Sequence, residues 1–130
     1  MLKRKLVVLF AVMTVMGIMS ISLPAGATTT AYPIIAQTTD RLNYTGDYEW
    51  YSITLRGGRA HKITLVGPSW ADFDIKVYDE NFNLVGHSEE GRGYVDTINI
   101  TPSWTGTFYI KVLSYSGSGS FTLRIRRRTY

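Results

Sequence analysis

From Trp50 onward the chain switches between apolar and polar residues at every second position, in short runs broken by turn residues. Tyr51, Ile53 and Leu55 alternate with Trp50, Ser52 and Thr54, and Arg56-Gly57-Gly58 ends the run. Ile63 and Leu65 resume the rhythm as far as Gly67-Pro68, and Phe73, Ile75 and Val77 carry it to a turn over Asp79–Asn83. A short strand is expected from Leu84 to Ser88 and another near Tyr94–Ile100, contributing Ile98 and Ile100. Phe108, Ile110 and Val112 lead into Ser116-Gly117-Ser118-Gly119-Ser120, which reads as a flexible hairpin loop, and Phe121, Leu123 and Ile125 close the pattern. Successive side chains on a strand point to opposite faces, so each run offers one set to a core and one to water. No segment in this region keeps a helical period. Several strands at roughly ten-residue spacing argue for an all-β antiparallel sandwich or barrel.

The first residues follow a different rule. Lys3, Arg4 and Lys5 precede an apolar run from Leu6 to Leu23, which Pro24 and the triplet Ala25-Gly26-Ala27 follow. A basic start, an apolar stretch and a small-x-small site are the parts of a secretory signal peptide. The alternative is an uncleaved anchor, which Thr14, Gly17, Ser20 and Ser22 disfavour by interrupting the apolar stretch. The expected organisation is a signal peptide over 1–27, a linker or edge strand over 28–37, and one domain over 38–130. A secreted, periplasmic or cell-surface location follows, with no membrane contact once the leader is gone.

Charge then loses most of its force as a functional clue. The formal net charge is +4, from 14 Lys and Arg against 10 Asp and Glu, and three of the cations belong to the leader. What remains is almost balanced, so no nucleic-acid partner is expected. The chain has no cysteine. That excludes disulfides and lipid attachment at a cysteine, and leaves stability to the core, which ~100 residues suffice to build.

Three blocks of the alternating region resemble one family. GDYEWYSITL (46–55), ADFDIKVYDENFNLV (71–85) and TGTFYIKVLSYSGSGSFTLRI (105–125) are similar, in order, to the opening strand, the central Asp-x-Asp strand with its turn, and the closing hairpin of bacterial pre-peptidase C-terminal domains. The resemblance spans roughly residues 38–126 and implies a jelly-roll-like β-sandwich. It also implies kinship with the collagen-binding domains of clostridial collagenases, which grip substrate with an aromatic-rich sheet and use calcium near their N-terminal linker. Asp47 and Glu49 fall where such domains place part of that calcium site. A calcium ion takes six to eight oxygens, and residues 28–39 add no acid, which leaves Asp40 as the nearest further ligand. Calcium is the one cofactor to consider.

Catalytic patterns are absent from the sequence. His61 and His87 are the only histidines, and no Gly-x-Ser-x-Gly elbow accompanies them. Asp72 and Asp74 share a strand face, either as a paired-carboxylate or metal site or as a hydrogen-bonded loop junction. The outward phase is more telling. Trp50, Tyr78 and Tyr109 occupy it, with Lys111, Arg124 and Arg126 in the same phase. Two readings stand for these residues. One is a contact face for a polymer, since Tyr and Trp give large contact area at low entropy cost. The other is a solvated sheet face held by cross-strand aromatic pairs and Arg-over-ring contacts. The basic end Arg124–Arg128 guards a final strand against edge pairing or attracts anionic polymers. The expected function is a secreted, non-catalytic module that contacts an extracellular protein such as collagen, or a glycan. The alternative is an accessory or assembly partner of a separately encoded secreted peptidase or other exported protein. Processing after Ala27 predicts an exported polypeptide that begins at Thr28; an intact mass that retains residues 1–27 would identify an anchor instead.

Overall fold

The structure is a computed structural model that describes residues 6–8, 31–93 and 95–129, with backbone alone for 6–8. Most of the expected leader, its cleavage triplet, residues 28–30 and Tyr94 lie outside the described residues. Nine strands are seen: β1 (Leu6–Val8), β2 (Ile34–Leu42), β3 (Tyr48–Leu55), β4 (His61–Val66), β5 (Asp72–Tyr78), β6 (Leu84–Ser88), β7 (Asp96–Ile100), β8 (Gly106–Ser116) and β9 (Gly119–Arg127). They form two four-stranded antiparallel sheets, β3-β8-β5-β6 and β2-β9-β4-β7, with β1 added in parallel at the outer edge of β3. In that pairing Leu6 lies opposite Trp50 and Val8 opposite Ser52.

The apolar phases meet between the sheets. Tyr51, Leu55, Ile63, Ile75, Ile110, Val112, Leu123 and Ile125 are among the side chains with essentially no exposure. All of the inward residues expected from the alternation are buried except Ile100, which packs at the rim; Ala36, Leu42 and Ala71 join them. Leu42 and Ala36 come from β2, so the segment after residue 33 is an edge strand of the sandwich and not a linker. Tyr51 brings a polar tip inward, and its hydroxyl donates to Asp40 Oδ2 at 3.2 Å, tying β3 of one sheet to β2 of the other. Edge-to-face contacts of Phe121 with Tyr51 and with Phe73 fill the centre.

Most connections cross from one sheet to the other, and β5–β6 is the hairpin that stays within a sheet. The segment read as a flexible hairpin at 116–120 is instead a short arch, because β8 and β9 belong to different sheets. Gly117 and Gly119 take φ of +89° and +151°, which turns the chain across the sandwich within two residues. A Cβ on Gly119 would lie 2.6 Å from Pro68 Cγ. The arch is pinned: Ser114 Oγ donates to Gly117 O at 2.6 Å, Gly117 N–H to Thr45 Oγ1 at 2.9 Å, and Trp70 Nε1–H to Ser118 O at 2.9 Å. Truncating a central inward side chain tests the sandwich: Ile110→Ala should lower the unfolding free energy by about 2–5 kcal/mol in urea melts.

Candidate binding face

The outer face of the β3-β8-β5-β6 sheet is read row by row from its register. Trp50 lies opposite Lys111, Lys111 opposite Lys76, and Lys76 opposite His87, so one row crosses all four strands. The next row sets Ser52 against Tyr109 and Tyr109 against Tyr78. The sheet therefore gathers Trp50, Tyr78, Tyr109 and Lys111 on one face. Tyr78 packs at 5.4 Å from Trp50 between ring centroids. Lys111 leans towards β3, its Nζ 4.8 Å from the centre of the Tyr48 ring and 5.6 Å from that of Trp50.

Phe82 completes the patch. It sits in the β5–β6 turn, 59 % exposed, stacked on Tyr109 at 4.5 Å with planes 11° apart and edge-on to Trp50 at 6.3 Å. Its φ of +59° is left-handed, a region where a bulky non-glycine residue is an outlier that its surroundings must impose. Asp79 imposes it. One carboxylate oxygen accepts from the Asn81 and Asn83 N–H groups at 2.9 Å, the other accepts from Asn83 Nδ2 at 3.1 Å, and the Asp79 carbonyl accepts from Phe82 N–H at 3.0 Å. The bonds from Asn83 and then Asn81 hold the Asp79 carboxyl below its usual range. Phe82 is missed by an alternation argument because it belongs to a turn. The available signal was an aromatic inside an Asp-x-x-Phe-Asn turn, where small polar residues are the rule.

Arg124 and Arg126 do not join this face. They project from β9 in the other sheet, since the arch carries the chain across the sandwich after β8. There Arg124 Nε–H donates to Gln37 Oε1 at 2.7 Å and Arg126 Nη1–H to the Tyr32 carbonyl at 3.3 Å, while Lys62 lies over the Tyr32 ring at 5.4 Å. The cations of that sheet hold its own edge segment.

The acidic candidates separate in the same way. Asp47 is buried and caps the turn before β3: Oδ2 accepts from Asn43 N–H at 2.7 Å and Oδ1 from Tyr48 N–H at 2.9 Å. Glu49 is buried beside it on β3. Among the described residues no group of three His, Cys, Asp or Glu stands in position to hold a metal ion. Asp72 and Asp74 hydrogen-bond through their side chains, with Asp96 of β7 close to both. Burial pushes Asp74 up to about 7, with the charges of Asp72, Asp96 and Glu89 adding to it. Burial also lifts Asp96 to about 6, against hydrogen bonds to its Oδ1 from Glu90 N–H at 2.9 Å and Ser88 Oγ–H at 3.1 Å.

No hydrolytic site is assembled among the described residues. Ser88 is bound to Asp96, but His87 is its chain neighbour and points to the opposite side of β6. His61 is buried, its Nε2 accepts from Arg56 N–H at 3.4 Å, and burial lowers its pKa, so it is a neutral core group. The site is an exposed aromatic patch on the outer face of the β3-β8-β5-β6 sheet.

No family model matches the chain. Its fold is similar to that of the pre-peptidase C-terminal domain of a collagenase from Bacillus anthracis, with 17% identity, a TM-score of 0.52, 68% of this chain covered and 88% of that one. It is also similar to PliG of Aeromonas hydrophila, a periplasmic inhibitor of g-type lysozyme, with 12% identity, a TM-score of 0.58, 97% of this chain covered and 100% of that one. At these identities the likeness is one of fold. The resemblance read from the three sequence blocks therefore holds for a β-sandwich that these families share.

The carboxyl cluster makes stability depend on pH. Unfolded, Asp74 ionises near 3.8, whereas folded it keeps its proton up to about 7. The folded state binds the extra proton between those values, so this contribution is present in acid and lost as pH rises through about 7. His61, lowered in the fold, acts in the opposite sense and favours folding above the ordinary imidazole range. Asp74→Asn keeps the bond to Asp72 without the buried charge. Allowing for solvent screening, it should raise Tm at pH 8 by roughly 4–8 °C, the response of a ~100-residue domain to about 1 kcal/mol, and leave Tm nearly unchanged in calorimetry at a pH below the unfolded-state value of 3.8.

Proposed function

We propose that this chain is an exported, non-catalytic binding module whose outer β3-β8-β5-β6 face docks another exported protein, as an accessory or inhibitor-like partner. The carrying observation is the interlocked patch of Trp50, Tyr78, Phe82 and Tyr109. Its exposed member is held in a left-handed backbone conformation by a turn built around Asp79. Rigid aromatics presented to water lose little conformational freedom on binding and carry a large share of the energy at protein interfaces. An exposed apolar patch on a soluble domain is itself a reason to look for a partner. Of two fold relatives, one is a domain of a collagenase and the other inhibits a lysozyme. Membership among pre-peptidase C-terminal domains, with their jelly-roll-like winding, is part of the same reading.

A second reading, contact with collagen or a glycan, rests on the same stacked rings, because a flat ring face also accepts a sugar or a proline ring. Native mass spectrometry of the exported fraction separates the two. The expected result is a stoichiometric protein complex that Phe82→Ala and Tyr109→Ala each weaken at least tenfold, the loss a hot-spot truncation brings. Retention on collagen, chitin or cellulose with no protein complex would move the assignment to the polymer.

A further inference from the structure

The row that crosses the binding face carries an electrostatic oddity. Lys111 of β8 and Lys76 of β5 are register partners, and His87 of β6 is the register partner of Lys76. Like charges placed directly opposite on one face of a sheet destabilise it. The usual remedy is an acid on the next strand, but here the flanking position on β3 holds Trp50. Lys111 turns its ammonium to the Tyr48 and Trp50 rings, away from β5. Among the described residues neither lysine has a carboxylate partner. The opposite sheet shows what a satisfied arrangement looks like. Lys62 and Arg126 are also register partners there, yet Lys62 sits on a ring, as Lys111 does, and Arg126 donates to a carbonyl, a contact for which Lys76 has no counterpart among the described residues.

We infer that the Trp50–Lys111–Lys76–His87 row reads an acidic, extended polypeptide segment of the partner. This deepens the proposed docking face and rests on that reading. Adjacent strands lie about 4.8 Å apart, so the three basic side chains span roughly 10 Å across the sheet. An extended chain that lies across the strands shows same-side residues every ~6.8 Å, so carboxylates two residues apart both come within reach of the flexible lysine tips. The Tyr109–Tyr78 row with Phe82 on one side, and Tyr48 with Leu113 on the other, would cover the apolar residues between and beside those carboxylates and exclude water, which strengthens each charge contact. A bound carboxylate also removes the Lys76–Lys111 repulsion, so the partner relieves a cost already present in the free module.

The test uses the full chain and fluorescein-labelled poly-L-glutamate, followed by anisotropy across a salt series. Wild type should bind with an affinity that falls as salt rises. The double variant Lys76→Gln, Lys111→Gln should bind at least tenfold more weakly with a flatter salt dependence. The same variant should melt no lower than wild type, since a like-charge pair has been removed, which excludes misfolding as the cause. A control that removes two exposed cations elsewhere, Arg41→Gln with Arg128→Gln, should change the affinity less than about threefold. Equal losses in the two doubles, or no binding by wild type at low salt, would overturn the inference. So would polygalacturonate competing as well as poly-L-glutamate per unit charge, because the row would then read charge and not a polypeptide. If the lysine variant keeps the native partner while Phe82→Ala releases it, the acidic segment is wrong and the docking face stands. If neither variant releases it, the docking face is wrong.

Discussion

Burial of one side-chain phase from each of two sheets is the interaction on which everything else in this protein rests. The chain has no cysteine to form a disulfide and no helix lies against either sheet among the described residues, so the layer between the sheets carries the stability. Tyr51, Phe73, Phe108 and Phe121 give that layer its bulk, and isoleucine, leucine and valine fill the spaces between them. The same geometry dictates what faces water, because every inward residue commits its neighbours to the outer surface. Trp50 is outward because Tyr51 is inward, and Lys111 because Ile110 and Val112 are buried. The outer aromatic face is thus a by-product of core register, and a one-residue slip of β3 or β8 would bury its lysine and tryptophan while exposing the core.

That coupling explains why much of the fold was legible in the residues. Period two identifies strands and faces, and nearly every expected core member is buried. Strand partnership is a different matter, because alternation is blind to which strands are neighbours. Tyr109 and Arg124 have the same phase and lie fifteen residues apart in the chain, yet they decorate opposite sheets. The glycines at 117 and 119 looked like hairpin residues and serve an arch, a distinction set by Pro68 and Thr45, which come from far along the chain. Lys76 and His87 were passed over for the same reason: their significance comes from facing Lys111 across β5 and β6. Phe82 escaped because turns obey local chemistry, and its position depends on stacking with a strand more than twenty residues away.

The charges of the module divide by depth. Asp72, Asp74 and Asp96 gather around the junction of β5 and β7, where burial raises Asp74 to about 7 and Asp96 to about 6. The lysines of the outer row remain in contact with water. A sheet with acids withdrawn at one end and cations displayed across its middle presents a positive strip even though the domain as a whole is nearly neutral. Local fields of this kind steer association more than net charge does.

The position of β9 has a consequence for how the protein is made. Residues 119–127 form an interior strand, hydrogen-bonded to β2 on one side and β4 on the other. Until that stretch has been synthesised, β2 and β4 lack their common neighbour and half of the interior has no lid. A nascent chain therefore cannot complete the β2-β9-β4-β7 sheet until residues 119–127 have emerged.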